Sequence, residues 1–127
     1  MFDRLRADLV ERWVSSQLET AAIFYHQTDP ATARWLAEQT LSMPVHVAER
    51  YFAQLAGIDF RHRINDVDLP VLAMWGMHDH FIDPQWADWF EKRALPGWRI
   101  ERLEHSGHGS MVDEPARVAD LLQAFIG

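Results

Sequence analysis

Cysteine does not occur among the 127 residues, which excludes disulfides, thiol nucleophiles and thiolate metal sites together. No apolar run approaches the roughly 18 residues of a membrane helix, and residues 1–8 hold no apolar signal segment, so a soluble, cytoplasmic chain without membrane partners is expected. Basic charge is short as well: 12 Lys and Arg face 19 Asp and Glu, a formal net charge of -7. That balance opposes nonspecific attraction to nucleic acid or anionic membranes, and no basic surface interleaved with aromatics is visible. A Gly-rich phosphate loop and a dinucleotide fingerprint are both missing, so no cofactor is expected. What is present is a 48% hydrophobic share, enough at this length for a folded domain with a modest core.

The first half reads as helices. Leu5, Leu9 and Trp13 recur every fourth residue, widened by Val10, Val14 and Leu18. The following segment, to about Gln27, either continues that helix or follows a bend at Ser15-Ser16. Asp29-Pro30 has the form of a helix start, with Asp29 accepting amide hydrogen bonds and Pro30 at the first helical position. Pro44 separates that helix from one using Val45, Ala48, Tyr51, Phe52 and Leu55, with Gly57 as its expected C-terminal cap. The aromatics here are read as packing residues. Residues 58–69 form a polar connection.

The period changes at Pro70. Residues 71–75, Val-Leu-Ala-Met-Trp, have no polar face, as suits a strand covered on both sides, and Gly76 lets the chain turn where it ends. His78, Asp79, His80 and Asp83 follow at once, a carboxylate and two imidazoles carried on a rigid support. Asp83-Pro84 announces a helix with Trp86, Trp89 and Phe90. Leu95-Pro96-Gly97 stops it, residues 99–103 form a second strand, and the polar turn His105-Ser106-Gly107-His108-Gly109 comes next. Pro115 opens a last helix with Val118, Leu121, Leu122, Phe125 and Ile126 on one face. The histidines and Asp79 are metal ligands by type, but His78-Asp79-His80 is not a distinctive metal spacing, and no metal site is expected.

Residues 66–79, from Asp66 through Pro70-Val71-Leu72-Ala73-Met74-Trp75-Gly76 to Asp79, resemble the seventh-strand region of α/β-hydrolases. His105-Ser106-Gly107-His108-Gly109, Asp113-Glu114-Pro115 and the final helix resemble that family's catalytic-histidine loop and last helix. The resemblance covers roughly residues 64–127, and the preceding helices look like a lid by placement alone. It implies an α/β class: an incomplete α/β-hydrolase fold with a helical lid-like segment (1–57), a connector (58–69) and a parallel strand–helix–strand–helix portion of the core (70–127). It makes Asp79 the triad acid and His108 the triad histidine. In that chemistry the carboxylate fixes the tautomer of the imidazole and stabilises the imidazolium, and the other ring nitrogen takes the proton of a serine that attacks an acyl carbon. Asp83 is a rival acid that fits a helix cap better, and His105 a rival base. Gly107 and Gly109 are expected to let the histidine loop bend tightly.

The pattern departs from the family in one large respect. A Gly-x-Ser-x-Gly nucleophile elbow is missing, and Ser15, Ser16, Ser42, Ser106 and Ser110 all lie in other contexts. The resemblance therefore implies the C-terminal portion of a serine hydrolase for small acyl esters, amides or related substrates, inactive in isolation. The nucleophile is expected from a missing region or from a complementary chain carrying the N-terminal core. A homo-oligomer is expected if no such chain exists. The alternative is a noncatalytic binding or regulatory remnant.

Overall fold

The structure, a computed structural model, describes residues 12–127. The expected helical positions Leu5, Leu9 and Val10 lie outside them. The chain divides into two compact units. One holds the described residues up to Ala22 together with Asp29–Arg61, and the other holds Ile23–Thr28 with His62–Gly127. The second boundary falls inside the polar connection 58–69.

Three helices build the first unit: α1 (Trp13–Phe24, whose last two residues belong to the second unit), α2 (Pro30–Thr40) and α3 (Val45–Leu55). α1 runs unbroken through Ser15 and Ser16, so the chain continues its helix there instead of bending. Asp29 starts α2 by accepting the amides of Ala31 and Thr32 at 3.0 and 3.1 Å, with Pro30 at the first turn. Hydrogen bonds from Thr32 hold the Asp29 carboxyl below its ordinary pKa. α3 is capped at Ala56, in right-handed helical conformation, and Gly57 follows by donating its amide to Gln54 O at 3.1 Å. The cap is thus Ala56 and not the expected Gly57, which does not take positive φ. The buried apolar side chains on these helices are alanines, Ala21, Ala33, Ala37 and Ala48, while Trp35 and Tyr51 stand exposed. Trp35 and Tyr51 thus depart from the packing role expected of the aromatics, while Trp13, Phe24 and Phe52 are partly buried.

The second unit is organised on a parallel pair of strands, β1 (Val71–Gly76) and β2 (Trp98–Leu103), in register from Val71↔Trp98 to Gly76↔Leu103. A parallel pair needs a crossover, and α4 (Gln85–Glu91) lies within it. Successive residues of a strand face opposite ways, and β1 uses both faces. Leu72 and Met74 pack on Leu103 and on Val118 and Leu121 of the last helix, α6 (Pro115–Ile126). Trp75 meets Phe90 of α4 with ring centroids 4.9 Å apart. The side chains of residues 71–75 nevertheless remain half-buried, so the complete cover expected for this run is not reached within this chain. Among the described residues the sheet has two strands, and β1 has β2 on one side alone.

β2 is the more polar strand. Arg102 bridges to Asp88 and Glu91 of α4, and Glu101 pairs with Arg99 and with Arg117 of α6. Between α4 and β2, Pro96 and Gly97 make the chain reverse: Trp98 N–H donates to Leu95 O at 3.0 Å and Gly97 takes φ +90°. Pro at the second position and a positive-φ glycine at the third are the requirements of a type II turn.

Candidate active site

Both strands end at the same level, and the loops that follow are laced together. Met77 N–H donates to Leu103 O at 3.0 Å, and His78 N–H donates to Ser106 O at 2.9 Å. Gly76 makes this approach possible: a Cβ there would run into the Gly107 carbonyl oxygen and lie 2.7 Å from that of Ser106. Gly107 allows a similar approach on its other side, where a Cβ would sit 2.8 Å from Phe24 O. Neither glycine has positive φ, so close backbone approach, and not a bend reserved for glycine, is what these positions require.

Asp79 sits in the turn after β1 with a side chain only 7% exposed. Its Oδ1 accepts the amides of Phe81 and Ile82 at 2.7 and 2.9 Å, which fixes the carboxylate plane. Its Oδ2 lies 2.8 Å from Nδ1 of His108. One oxygen thus caps the turn and the other pairs with the imidazole. With Nδ1 as donor, Nε2 is left as the proton acceptor of the ring.

His108 is held from three directions. Its amide donates to Phe24 O at 2.8 Å. Its ring rests edge-on against Phe24, centroids 4.5 Å apart, with Phe81 at 5.5 Å. The residues on either side, Gly107 and Gly109, are buried, while the imidazole itself is 35% exposed. A ring pinned at its base and open at its tip suits proton exchange with a bound molecule.

The rival residues lie elsewhere. Asp83 uses both oxygens on Gln85, accepting its amide at 2.9 Å and its side-chain amide at 2.8 Å, at the entrance to α4. His105 is exposed and gives its amide to Glu114 at 3.0 Å. His80 is exposed, and His78 stacks flat on His26 at 3.5 Å. Ser106, within the histidine loop, is fully buried and donates its hydroxyl to Glu114 at 2.6 Å. Among the described residues no serine hydroxyl bonds the His108 ring, and no three His, Asp or Glu groups are arranged to hold a metal ion.

The acidic pair Asp113-Glu114 belongs to a recognisable motif in the sequence, but the sequence assigns it no role. Asp113, at the end of the short helix α5 (Ser110–Asp113), accepts the amides of His26, Gln27, Thr28 and Gly107 and the Thr28 hydroxyl, at 2.8 to 3.1 Å. Burial by itself pushes this carboxyl up, but the donated hydrogen bonds from His26, Gly107, Gln27 and Thr28 prevail and hold its pKa below the ordinary value. Tyr25 moves the other way, raised by burial and by the Asp113 charge.

Residues 2–115 match the family described as alpha/beta hydrolase fold, and the chain belongs to that family. Among curated proteins it is similar to the pimeloyl-[acyl-carrier protein] methyl ester esterase of Neisseria meningitidis serogroup B. Sequences from two strains are each 28% identical over 97 residues, 76% of this chain and 34% of theirs. Among solved structures it is similar in fold to an esterase, EaEST, from Exiguobacterium antarcticum, with a TM-score of 0.90 at 22% identity over 98% of this chain and 47% of that one. The chain thus spans about a third of the length of those curated relatives and just under half of the solved esterase. Among the described residues no helix is long and apolar enough to cross a membrane.

Proposed function

We propose that this chain supplies the acid, Asp79, and the base, His108, of a serine-type hydrolase site whose nucleophile comes from a region or chain outside these residues. The observation that carries the reading is the 2.8 Å contact between His108 Nδ1 and Asp79 Oδ2 at the ends of two parallel strands. Membership of the hydrolase family supports it, and the names of the esterase relatives point to carboxylic esters as the substrate class. Asp79 holds His108 in the tautomer with Nδ1 protonated. Nε2 takes the hydroxyl proton of the serine as it attacks the ester carbon, and the imidazolium then protonates the departing alkoxide. Water repeats the sequence on the acyl-enzyme.

The complementary region adds the serine elbow and further strands beside β1, whose apolar side chains are half-buried here. The test is turnover of a p-nitrophenyl ester by the 127-residue chain alone and by the chain reassembled with a complementary polypeptide bearing Gly-x-Ser-x-Gly. The isolated chain stays at background and the assembly turns over. Equal turnover by the isolated chain contradicts the reading.

A second reading, a noncatalytic binding or regulatory module, is favoured by the lack of Gly-x-Ser-x-Gly in these 127 residues. A native partner without any nucleophile elbow decides for it.

A further inference from the structure

We propose that Asp113 is a positioning residue for His108, acting through a closed ring of hydrogen bonds that joins the histidine loop to the segment Ile23–Thr28. The inference rests on the reading of His108 as the base, and it concerns how that base is kept on Asp79.

The histidine lies in a connection without regular structure, between β2 and α5. Its own backbone is tied to a distant segment, since Phe24 O accepts both His108 N–H at 2.8 Å and Gly109 N–H at 3.2 Å. That acceptor is useful only if Phe24 itself stays in place. Three consecutive amides just beyond it, those of His26, Gln27 and Thr28, converge on the Asp113 carboxylate, as does the Thr28 hydroxyl. Successive backbone N–H groups turned to one point form an anion-binding concavity, and here the anion is a side chain of the same protein. The fifth donor is Gly107 N–H at 2.8 Å, from the residue immediately before His108. Asp113 therefore grips both the loop and the segment that the loop leans on. Glu114 fastens the loop's earlier residues, His105 and Ser106.

Only an ionised carboxylate suits five donors. It offers acceptor sites on both oxygens and carries no hydrogen. Asparagine keeps one acceptor oxygen and turns two N–H donors towards amides that are donors themselves. Glutamate preserves the charge and both oxygens at the cost of one extra methylene.

The experiment uses the full chain labelled uniformly with 15N and reads the exchange with water of the His108 ring N–H, assigned by its loss in His108→Ala. In Asp113→Asn, exchange accelerates by about tenfold, the change expected when protection falls by roughly one net hydrogen bond, while the backbone signals of β1 and β2 persist. Asp113→Glu recovers some of the protection, which a role in packing alone does not predict. Wild-type exchange in a folded Asp113→Asn chain overturns the proposal. Thr28→Val, which removes a single donor and leaves the carboxylate, covers the case in which Asp113→Asn does not fold. A smaller acceleration supports the proposal and unchanged exchange overturns it. The ring signal requires no turnover, so the two readings fail separately: a reassembled protein that hydrolyses no ester sinks the catalytic reading whatever the exchange rates show.

Discussion

Asp79 and His108 stand 29 residues apart in sequence and 2.8 Å apart in space, joined because two parallel strands end side by side. Asp79 is anchored through Oδ1 by two amides of its own turn, which aims Oδ2 at the His108 ring. In Asp79→Asn the Oδ1 contacts survive, but an amide facing Nδ1 selects the wrong tautomer of the imidazole. In an assembly that supplies the proposed serine, the substitution is expected to lower kcat towards esters about 10⁴-fold, by the precedent of serine triads, with little change in circular dichroism. A kcat within about tenfold of wild type contradicts the role of the acid.

Asp113 makes stability depend on pH in a defined direction. Its folded pKa lies below the ordinary carboxylate value, so the folded state binds fewer protons than the unfolded chain at acidic pH. Its contribution is fully present above the unfolded value of about 3.9 and fades as pH falls through the lower, folded one. Urea unfolding from about pH 6 down to pH 3 measures this. Wild type loses stability over the acidic end of that range more steeply than Asp113→Asn does.

Two glycines separate backbone strain from loop packing. Gly97 has φ +90° and open space around the position of a Cβ, so Gly97→Ala costs about 1–2 kcal/mol in unfolding free energy and leaves the His108 ring signal alone. Gly76 has ordinary φ but carries the Gly107 carbonyl where a Cβ would be, so Gly76→Ala displaces the histidine loop. It costs about 1–3 kcal/mol and also shifts the His108 ring signal. Equal effects of the two substitutions on that signal contradict the distinction.

Leu103 ends β2, is 1% exposed, and packs with Val118, Leu121, Leu72 and Met74. Leu103→Ala is expected to destabilise the second unit by about 2–5 kcal/mol, read by denaturant unfolding.

The strand Val71–Gly76, the helix opened by Pro115 and the Asp29 cap are legible in the sequence because each follows from local chemistry: an apolar run, a proline at a first turn, a carboxylate two and three residues before free amides. Asp79 and His108 are legible through family resemblance, which links two motifs that local pattern leaves separate. The work of Asp113 is not legible. Three of its donors are backbone amides 85 to 87 residues away, and a backbone N–H looks the same at every position of a sequence. The stack of His26 on His78 is hidden for the same reason. Helical periodicity also misassigns Trp35 and Tyr51: it identifies an apolar face but not whether this chain contains what covers it.

The most direct test of the account is labelling by a serine-directed phosphonate probe in the reassembled protein, comparing wild type with His108→Ala after confirming that both assemble equally. The account predicts rapid labelling of a single serine in the complementary polypeptide and loss of that labelling in His108→Ala. Labelling at the wild-type rate without the His108 imidazole contradicts it.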